Sequence, residues 1–372
     1  MRVRNLHSYG LPPNLLRVAR IGCGIGLVLL VVGLAALAWM QIAWPTSPAW
    51  LELTRYLPYY GWLLPTTLAF GAAWWLGRWW WMAFPTSALA IVLVVLMDLE
   101  VNAGDTAAPD ALKLRVMTYN VKAGDAAQRA SGVEAIGWAV IRHDPGIVLM
   151  QDADGLLIKR EAQALSDGLP VFGLSHVFAV GQFVVASRHP LKRCDTGQVD
   201  YSDISRRYLY CDVDVAGRSV RFVTVHLQTP RAGLIAARRE GVDGLNDWGR
   251  NYEERVVQSR TLAADLSRMP RPLVVVGDFN APMSSPVMRA IAATGLRDSH
   301  DVAGRGWGFT YGSSYRWNID FLRIDHILAS RDVGIASSHV GGDTASPHRP
   351  VIADLWLHGD ASLRPSRAMP IP

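Results

Sequence analysis

The sequence predicts a membrane-anchored α/β protein, in which three transmembrane helices precede one domain of mixed strands and helices. Three long runs without a charged residue lie within the first 100 residues. A hydrophobic share of 50% and a mean hydropathy of +0.14 are high for a wholly soluble protein, which agrees with these runs. After them, short β-type runs and helical stretches share about 260 residues, which is the size of one large α/β domain.

The apolar runs cover residues 21–44, 57–76 and 79–97. Since a helix of about 20 apolar residues crosses a hydrocarbon core of about 30 Å, each run is predicted to span a membrane. Burial in a globular core is disfavoured because none of the runs has a polar face. A cleaved signal peptide is an alternative for the first run, where Ala36, Leu37 and Ala38 resemble a small-residue cleavage site. Two further apolar runs directly after it favour an anchor.

The distribution of charged residues predicts the orientation of these helices. Four arginines precede the first run, and Arg78 lies in the short loop between the second and third runs. The stretch after the third run begins with four acidic residues before any Lys or Arg. The positive-inside rule therefore places the N-terminus in the cytoplasm. Three crossings make this a multi-pass protein of the cell (inner) membrane, with the following domain on the extracytoplasmic (periplasmic) side.

The chain is predicted to have four sections. A membrane anchor covers residues 1–100, a linker rich in Gly, Asp, Ala and Pro covers 101–111, the catalytic domain covers 112–358, and a disordered tail covers 359–372. Residues 113–372 carry 31 of the 37 Lys and Arg and 27 of the 32 Asp and Glu. This mildly basic balance is compatible with a phosphate-bearing partner.

Two cysteines of the domain, Cys194 and Cys211, lie on predicted neighbouring strands. They could pair on an oxidising side of the membrane or remain two small buried thiols, and the sequence leaves both alternatives open. The Cys and His residues show no zinc-binding spacing.

The strands of the domain are predicted from apolar runs that either alternate or are continuous. "KLRVMTYNV" alternates like a half-buried strand, and "PGIVLMQD" is continuous like a strand buried on both faces. Further strands are predicted at residues 183–187, 208–215, 220–227, 273–277, 325–328 and 351–355. The turn at residues 216–218 joins two of these strands as a hairpin. Helices are predicted at residues 133–143, 256–268 and 285–294, the last with Ser284 or Ser285 as its N-cap.

Polar residues stand where six of these apolar runs begin or end. They are Asn120, Gln151 with Asp152, His226, Asp278 with Asn280, Asp325 with His326, and His348. Singly, each has a structural explanation, since Asp and Asn favour turns and a histidine can be a hydrogen-bonded core residue. As a set of acids, amides and histidines on six strand edges they predict a ligand site, because such sites gather where strand ends converge.

This combination of side chains suits the cleavage of a phosphate ester. A divalent ion held by carboxylate and amide oxygens neutralises the phosphate oxygens and the leaving group. A second carboxylate can activate the attacking water, while imidazoles bind the phosphate. Hard oxygen ligands favour Mg²⁺ or Mn²⁺ over zinc.

Seven segments carry a resemblance to a known family. In chain order they are "RVMTYNV", "PGIVLMQD", "VVASRHPL", "FVTVHL", "VVVGDFNAP", "RIDHILAS" and "SPHRPV". The sequence resembles the endonuclease/exonuclease/phosphatase superfamily, which has the deoxyribonuclease-like fold, and its layout is similar to that of a membrane-anchored bacterial branch. The resemblance covers nearly all of residues 112–357 and implies a four-layer α/β sandwich, in which two packed β-sheets are flanked by helices.

The resemblance also implies roles for five catalytic residues. His226 would contact the phosphate, and Asp278 would position or activate the nucleophilic water. Asn280 would hold both Asp278 and the phosphate. His348 would serve the scissile phosphate, steered by Asp325 in an Asp-His pair.

The metal ion would be bound by Asn120, directly or through water, and by Asp152. Asp152 stands where the family has Glu and is one methylene shorter, so its carboxylate reaches the ion only by a small shift or through water. Pro347 stands where the family has an acid, and Asp343 of the same loop is a candidate substitute. These two departures weaken the case for a second metal position.

The sequence therefore predicts a membrane-tethered, Mg-dependent phosphoesterase that acts on a phosphodiester or a phosphomonoester. The alternative is a catalytically impaired, membrane-tethered binding domain of the same fold. Expected partners are the lipid bilayer and a phosphate-ester substrate, which could be nucleic acid, phospholipid or a small phosphoester; no protein partner is predicted. Arg231, Arg238 and Arg239 could bind a nucleic-acid backbone or form a solvated helical face.

Overall fold

The computed structural model describes residues 12–357, except for residues 45, 59, 108–109, 129–132, 157–162, 166–171, 202–203, 313–318 and 343–345. The tail predicted at residues 359–372 and the candidate Asp343 lie outside the described residues. The chain forms two compact units. The helical unit contains Met1–Trp44 and Leu57–Asp98, and the α/β unit contains Pro45–Tyr56 and Leu99–Pro372.

The described elements comprise helices and strands of very different lengths. The α-helices are α1 (Pro13–Ala43), α2 (Ala49–Thr54), α3 (Tyr60–Leu76), α4 (Ala83–Ala90), α5 (Ala123–Ala126), α6 (Glu134–His143), α7 (Arg231–Arg239), α8 (Gly241–Arg268), α9 (Pro286–Ala292) and α10 (Ser299–Ala303). The strands are β1 (Glu100–Val101), β2 (Leu112–Asn120), β3 (Ile147–Gln151), β4 (Gln163–Leu165), β5 (His176–Val180), β6 (Phe183–Ser187), β7 (Leu191–Tyr201), β8 (Ile204–Val215), β9 (Arg218–His226), β10 (Leu273–Asp278), β11 (Arg297–Asp298), β12 (Arg305–Gly306), β13 (Asp325–Ala329), β14 (Val333–Val340) and β15 (Val351–Leu357).

Two helices of the helical unit are long and apolar enough to cross a membrane: α1, with 31 residues, and the continuous helix Trp79–Leu96 that contains α4. The sequence predicted three such helices. The span predicted at residues 57–76 is wrong by this criterion because α3 begins at Tyr60 rather than at residue 57 and has 17 residues. At 1.5 Å per residue it is about 26 Å long, which is shorter than a hydrocarbon core of about 30 Å.

The α/β unit contains two mixed sheets. The six-stranded sheet has the order β11-β13-β10-β9-β8-β7, and the seven-stranded sheet has the order β14-β15-β2-β3-β6-β5-β4. Each sheet contains one parallel pair, β9 with β10 and β2 with β3, among antiparallel neighbours. A separate two-stranded sheet pairs β1 with β12.

The alternation of side chains along the strands builds four layers. Val116 and Leu149 face the core between the sheets, together with Phe222 and Val276 of the other sheet. Their neighbours on β2 and β3 pack instead on the outer face of the seven-stranded sheet, against α6. The outer face of the six-stranded sheet packs against α8 and α9. These layers confirm the predicted α/β class with two sheets flanked by helices.

The segments next to the sheets also follow simple chemistry. Cys194 and Cys211, which face each other in the β7–β8 register, form a disulfide, so one of the two alternatives for the pair is realised. Ser285 caps α9 by accepting a hydrogen bond from the Val287 amide, as predicted. In the stretch predicted as a linker, Asp105 forms an ion pair with Arg297 at 2.8 Å.

Candidate active site

Strand register brings three of the predicted residues to one end of the six-stranded sheet. Asp278, the last residue of β10, pairs with His226 at the end of the parallel strand β9. On its other side, Asp278 pairs with Asp325, the first residue of the antiparallel strand β13. The end of a strand lies at the same edge of the sheet as the end of its parallel neighbour and the start of its antiparallel neighbour. His226 and Asp325, almost 100 positions apart in the sequence, therefore flank Asp278 at this edge.

The seven-stranded sheet contributes residues from the same end. Asn120 ends β2, opposite Gln151 at the end of β3, and His348 stands three residues before β15. The Asn120 side-chain amide donates a hydrogen bond to Asp278 Oδ2 at 2.9 Å, which joins the two sheets directly. Gln151 turns inward and donates to Thr224 Oγ1 at 2.8 Å, so it is a buried link between the sheets rather than a site residue.

Asp278, Asp325 and His348 form a compact buried cluster. One ligand atom from each residue lies within 4.8 Å of the others. His348 Nδ1 lies 3.0 Å from Asp325 Oδ2, and His348 Nε2 lies 3.8 Å from Asp278 Oδ2. The predicted Asp325–His348 pair is therefore present in the geometry.

Burial and charge shape the protonation of this cluster. Burial raises the pKa of Asp325, and the nearby Asp278 carboxylate raises it further, while His348 lowers it. Burial by itself would lower the pKa of His348, but the carboxylates of Asp325 and Asp278 outweigh it and raise that pKa. The imidazolium form of His348 is therefore favoured beside two acids.

Asn280 adopts a left-handed backbone conformation, with φ of 54°. Its N–H donates to Asp278 Oδ1 at 2.9 Å, and its side-chain amide donates to the Leu227 carbonyl at 2.9 Å. Asn tolerates this conformation better than most residues. The turn thus lets Asn280 hold one oxygen of Asp278 while Asn120 holds the other, which fixes the plane of the carboxylate.

His226 stands on the opposite side of Asp278 from Asp325. Its Nε2 lies 3.6 Å from Asp278 Oδ2, and its Nδ1 lies 2.5 Å from Gln182 Oε1 and 3.5 Å from Asp152 Oδ1. With the Gln182 oxygen as acceptor, Nδ1 carries a proton. Sequence reasoning missed Gln182, which follows β5 in a tight turn without a motif.

The two predicted metal ligands lie at the same site but have protein partners. Asp152 forms an ion pair with Lys122, a residue that sequence reasoning did not single out. Burial by itself would raise the pKa of Asp152, but His226 and Lys122 outweigh it and lower that pKa, so the carboxylate is charged. Asn120 accepts a hydrogen bond at Oδ1 from the Lys122 backbone N–H at 3.3 Å.

These residues line one cavity of about 170 Å³. Five of the seven predicted site residues line it directly: Asp152, His226, Asp278, Asn280 and His348. Asn120 supports the wall from behind through its hydrogen bond to Asp278. Asp325 likewise stands behind His348. The wall also contains residues that sequence reasoning did not assign to the site: Tyr56, Lys122, Arg206 and Tyr311. Arg231, noted from the sequence as a possible backbone-binding arginine, lines it too.

The donor atoms of this cavity fit a divalent cation. Asp325 Oδ1 is a buried carboxylate oxygen with no hydrogen-bond partner among the described residues. An unsatisfied buried carboxylate oxygen is costly unless a cation or water meets it. Carboxylate and amide oxygens also suit Mg²⁺ and Mn²⁺. Within the group of Asp278, Asp325 and His348, the two carboxylates could therefore hold a metal ion.

The family model described as the Endonuclease/Exonuclease/phosphatase family matches residues 117–348. This match covers more than half of the chain and includes every residue of the cluster. The chain therefore belongs to this family, whose members are phosphoesterases. A comparison with curated proteins found no match.

Solved structures of the family are similar to this chain. One is an endonuclease/exonuclease/phosphatase from Beutenbergia cavernae, with 22% identity, 67% of this chain and 72% of that chain covered, and a TM-score of 0.45. A family protein from Bacteroides thetaiotaomicron has 17% identity, covers 67% of this chain and 100% of its own, and has a TM-score of 0.47. A mannosyl-6-phosphatase from the same organism has 18% identity, coverage of 65% and 99%, and a TM-score of 0.44.

Proposed function

We propose that this protein is a metal-dependent phosphoesterase tethered to a membrane. The observation that carries the proposal is that Asp278 and His348, from two different sheets, line one cavity, while Asn120 and Asn280 hold the two oxygens of Asp278. A carboxylate fixed in this way beside two imidazoles has the arrangement needed to hold a water molecule against a bound phosphate.

Each residue has a role in this proposal. Asp278 positions or activates the attacking water, and Asn280 keeps Asp278 in place. His226 and His348 donate hydrogen bonds to phosphate oxygens and stabilise the charge that develops there. Asp325 orients His348 and favours its imidazolium form.

A divalent ion, Mg²⁺ or Mn²⁺, would bind at the oxygen atoms of this cavity. Asn120 and Asp152 are the proposed ligands, with the carboxylates of Asp278 and Asp325 as the nearby acidic group. When bound, the ion would neutralise phosphate charge and stabilise the leaving oxygen. The Lys122 ammonium beside Asp152 holds that carboxylate charged before the ion binds.

The membrane arrangement is proposed from the path of the chain. The chain leaves the α/β unit after Tyr56 and returns to it at Leu99. Both parts of one folded unit lie on one side of a membrane, so residues 57–98 cross an even number of times. With α1, the N-terminus and the α/β unit then lie on opposite sides, and the basic N-terminus favours the cytoplasm.

This arrangement can be tested with single cysteines and a membrane-impermeant maleimide. In cells with a permeabilised outer membrane, a cysteine at Ser267 is expected to be labelled, and one at Ser8, before α1, is expected to be protected. The reverse pattern would place the α/β unit in the cytoplasm and contradict the proposed orientation.

A membrane-tethered binding domain is the second candidate function. The Lys122–Asp152 ion pair favours it, because an ammonium group occupies the carboxylate on which a metal ion would depend. Pro347, which cannot ligate an ion, favours it as well.

Hydrolysis of a chromogenic phosphodiester by the full chain in detergent separates the two candidates. The enzyme proposal predicts activity that requires Mg²⁺ or Mn²⁺, is abolished by a chelator, and falls at least about 10²-fold in Asp278→Asn. Equal rates in the wild type and Asp278→Asn would leave only the binding domain. Comparison of DNA, phospholipid vesicles and small phosphate esters as substrates would then identify the substrate class.

A further inference from the structure

The segment between α1 and α3, residues 46–56, is built into the α/β unit. Leu51 and Glu52 have no exposed surface, and Tyr56 is 5% exposed. Short loops between apolar helices are normally solvated. Here α8 fixes the segment: Trp248 Nε1 donates to the Ala49 carbonyl at 2.7 Å, and the Tyr252 hydroxyl donates to the Ser47 carbonyl at 2.8 Å.

Buried charges hold the far end of this segment in one conformation. Glu52 pairs with Arg55 at 3.1 Å, and both side chains are almost completely buried. Glu52 Oε1 also accepts a hydrogen bond from the Ser285 hydroxyl at 2.6 Å. Buried charges are tolerated only when they are paired and hydrogen-bonded, so this arrangement specifies where the residues after Glu52 lie.

The Tyr56 hydroxyl lies against the backbone of Asn280. It is 3.0 Å from the Asn280 carbonyl oxygen and 3.3 Å from Glu52 Oε1. The hydroxyl has one proton, and the Asn280 carbonyl is its nearer acceptor. The Glu52 oxygen, the more distant one, already accepts a hydrogen bond from Ser285. Burial raises the pKa of Tyr56, so the hydroxyl stays protonated and remains a donor.

Arg255 completes the support of Asn280. It is 1% exposed, donates to the Asn280 carbonyl at 2.7 Å, and also donates to the Tyr56 hydroxyl. Its guanidinium lies 5.3 Å from the centre of the Tyr56 ring. The left-handed turn at Asn280, which gives Asp278 its N–H donor, is thus fixed by two side chains on one carbonyl oxygen.

We propose that Tyr56, which stands in the sequence between the apolar helices α1 and α3, is a positioning residue of the hydrolytic site and acts through the Asn280 backbone. The inference rests on the proposed function. The Tyr56 hydroxyl fixes the Asn280 peptide, the Asn280 N–H fixes Asp278, and Tyr56 also forms part of the cavity wall. The membrane-proximal part of the sequence therefore contributes to the site itself and not only to its attachment.

The test compares two Tyr→Phe variants of the full chain in detergent. Tyr56→Phe removes only the hydroxyl that reaches Asn280. Tyr252→Phe removes a hydroxyl that fastens the same segment to α8 and does not reach Asn280, so it controls for a loosened segment. For the metal-dependent hydrolysis of a phosphodiester, Tyr56→Phe is expected to lower kcat roughly five- to tenfold with KM nearly unchanged. Tyr252→Phe is expected to keep the wild-type kcat.

Amide hydrogen exchange over residues 278–285 gives a second readout that needs no activity. Exchange there is expected to be faster in Tyr56→Phe and unchanged in Tyr252→Phe. Unchanged kcat and exchange in Tyr56→Phe, or equal losses in both variants, would overturn the inference while leaving the proposed function intact. If the wild type hydrolyses no phosphate ester, the proposed function fails, and the exchange comparison alone decides whether Tyr56 positions Asn280 and Asp278.

Discussion

The amide nitrogen of Asn120 lies 2.9 Å from Oδ2 of Asp278, and these two residues end strands of different sheets. The other Asp278 oxygen accepts the backbone N–H of Asn280. The carboxylate is therefore fixed by both halves of the sandwich. A shift of either sheet would turn it, which couples the packing of the core to the geometry of the site.

The Asp325–His348 pair gives the first prediction. Asp325→Asn keeps the shape of the side chain but removes the charge that orients His348 and favours its imidazolium form. A fall in kcat of about 10²- to 10⁴-fold is expected, as for the acid of other Asp-His pairs. Steady-state kinetics with Asp214→Asn as the control measures it, since Asp214 lies at the opposite end of its sheet beside Lys192. Similar kcat values in the two variants would show that Asp325 has no such role.

Lengthening the shortened acid gives the second prediction. Asp152→Glu adds one methylene, which extends the reach of the proposed ligand, and is expected to lower the Mg²⁺ concentration for half-maximal activity roughly tenfold. A metal titration of hydrolysis measures the change. The exposed neighbour Asp154 provides the matched control, Asp154→Glu. A higher Mg²⁺ requirement in Asp152→Glu than in the wild type would show that the shorter side chain is required beside Lys122.

The buried pair in the segment between α1 and α3 gives the third prediction. Glu52→Gln leaves Arg55 buried without its counter-ion. The expected destabilisation is about 3–5 kcal/mol, or roughly 10 °C in Tm. Thermal unfolding in detergent measures it, with the exposed Glu253→Gln expected to stay within about 0.5 kcal/mol of the wild type. Equal Tm values for the two variants would show that the segment does not stabilise the unit.

The Asp298 carboxylate gives a prediction about pH. It is buried, 2.7 Å from Arg323 Nη1 and 2.9 Å from His326 Nδ1. Burial by itself would raise the pKa of Asp298, but Arg323 and His326 outweigh it and hold that pKa far below its usual range. A carboxyl group with a depressed folded-state pKa contributes stability that is present above the unfolded pKa of about 3.9 and is lost as the pH falls through and below that value.

The Tm of the wild type is therefore expected to fall once the pH drops below about 4, and to keep falling towards the much lower folded-state pKa of Asp298. Asp298→Asn is expected to have a lower Tm at pH 7 and a shallower drop, so that the two curves converge in acid. Parallel curves would mean that other carboxylates cause the acid sensitivity.

The sequence predicted the central strands well because their burial leaves a clear pattern. The strand predicted at residues 183–187 is β6 with the same bounds, and the hairpin around residues 216–218 joins β8 to β9. No bounds were predicted for the edge strands β7 and β14, because charged, Ser and Gly residues break their apolar pattern. Helix α8 begins at Gly241, whereas the sequence predicted a start at residue 256. The first half of the helix escaped prediction because it is rich in Gly, Asn and Asp, which are poor helix formers.

The candidate site was predictable where its residues end strands, because the fold brings strand ends together. His226, Asp278 and Asp325 belong to this class and lie in register. Tyr56 and Lys122 were not predictable in the same way. Tyr56 meets Asn280 across 224 positions of sequence, and only the packing of a buried segment joins them. Lys122 follows Asn120 in a turn whose left-handed backbone no local motif indicates.

A double-variant cycle between Asn120 and Asp278 tests the central claim most directly, since the two residues come from different sheets and are proposed to belong to one hydrolytic site. The measurement is kcat for metal-dependent phosphodiester hydrolysis by Asn120→Ala, Asp278→Ala and the double variant. If the residues act as a unit, the double variant loses about as much as the worse single variant. Losses that multiply, or single variants as active as the wild type, would contradict a shared site built from both sheets.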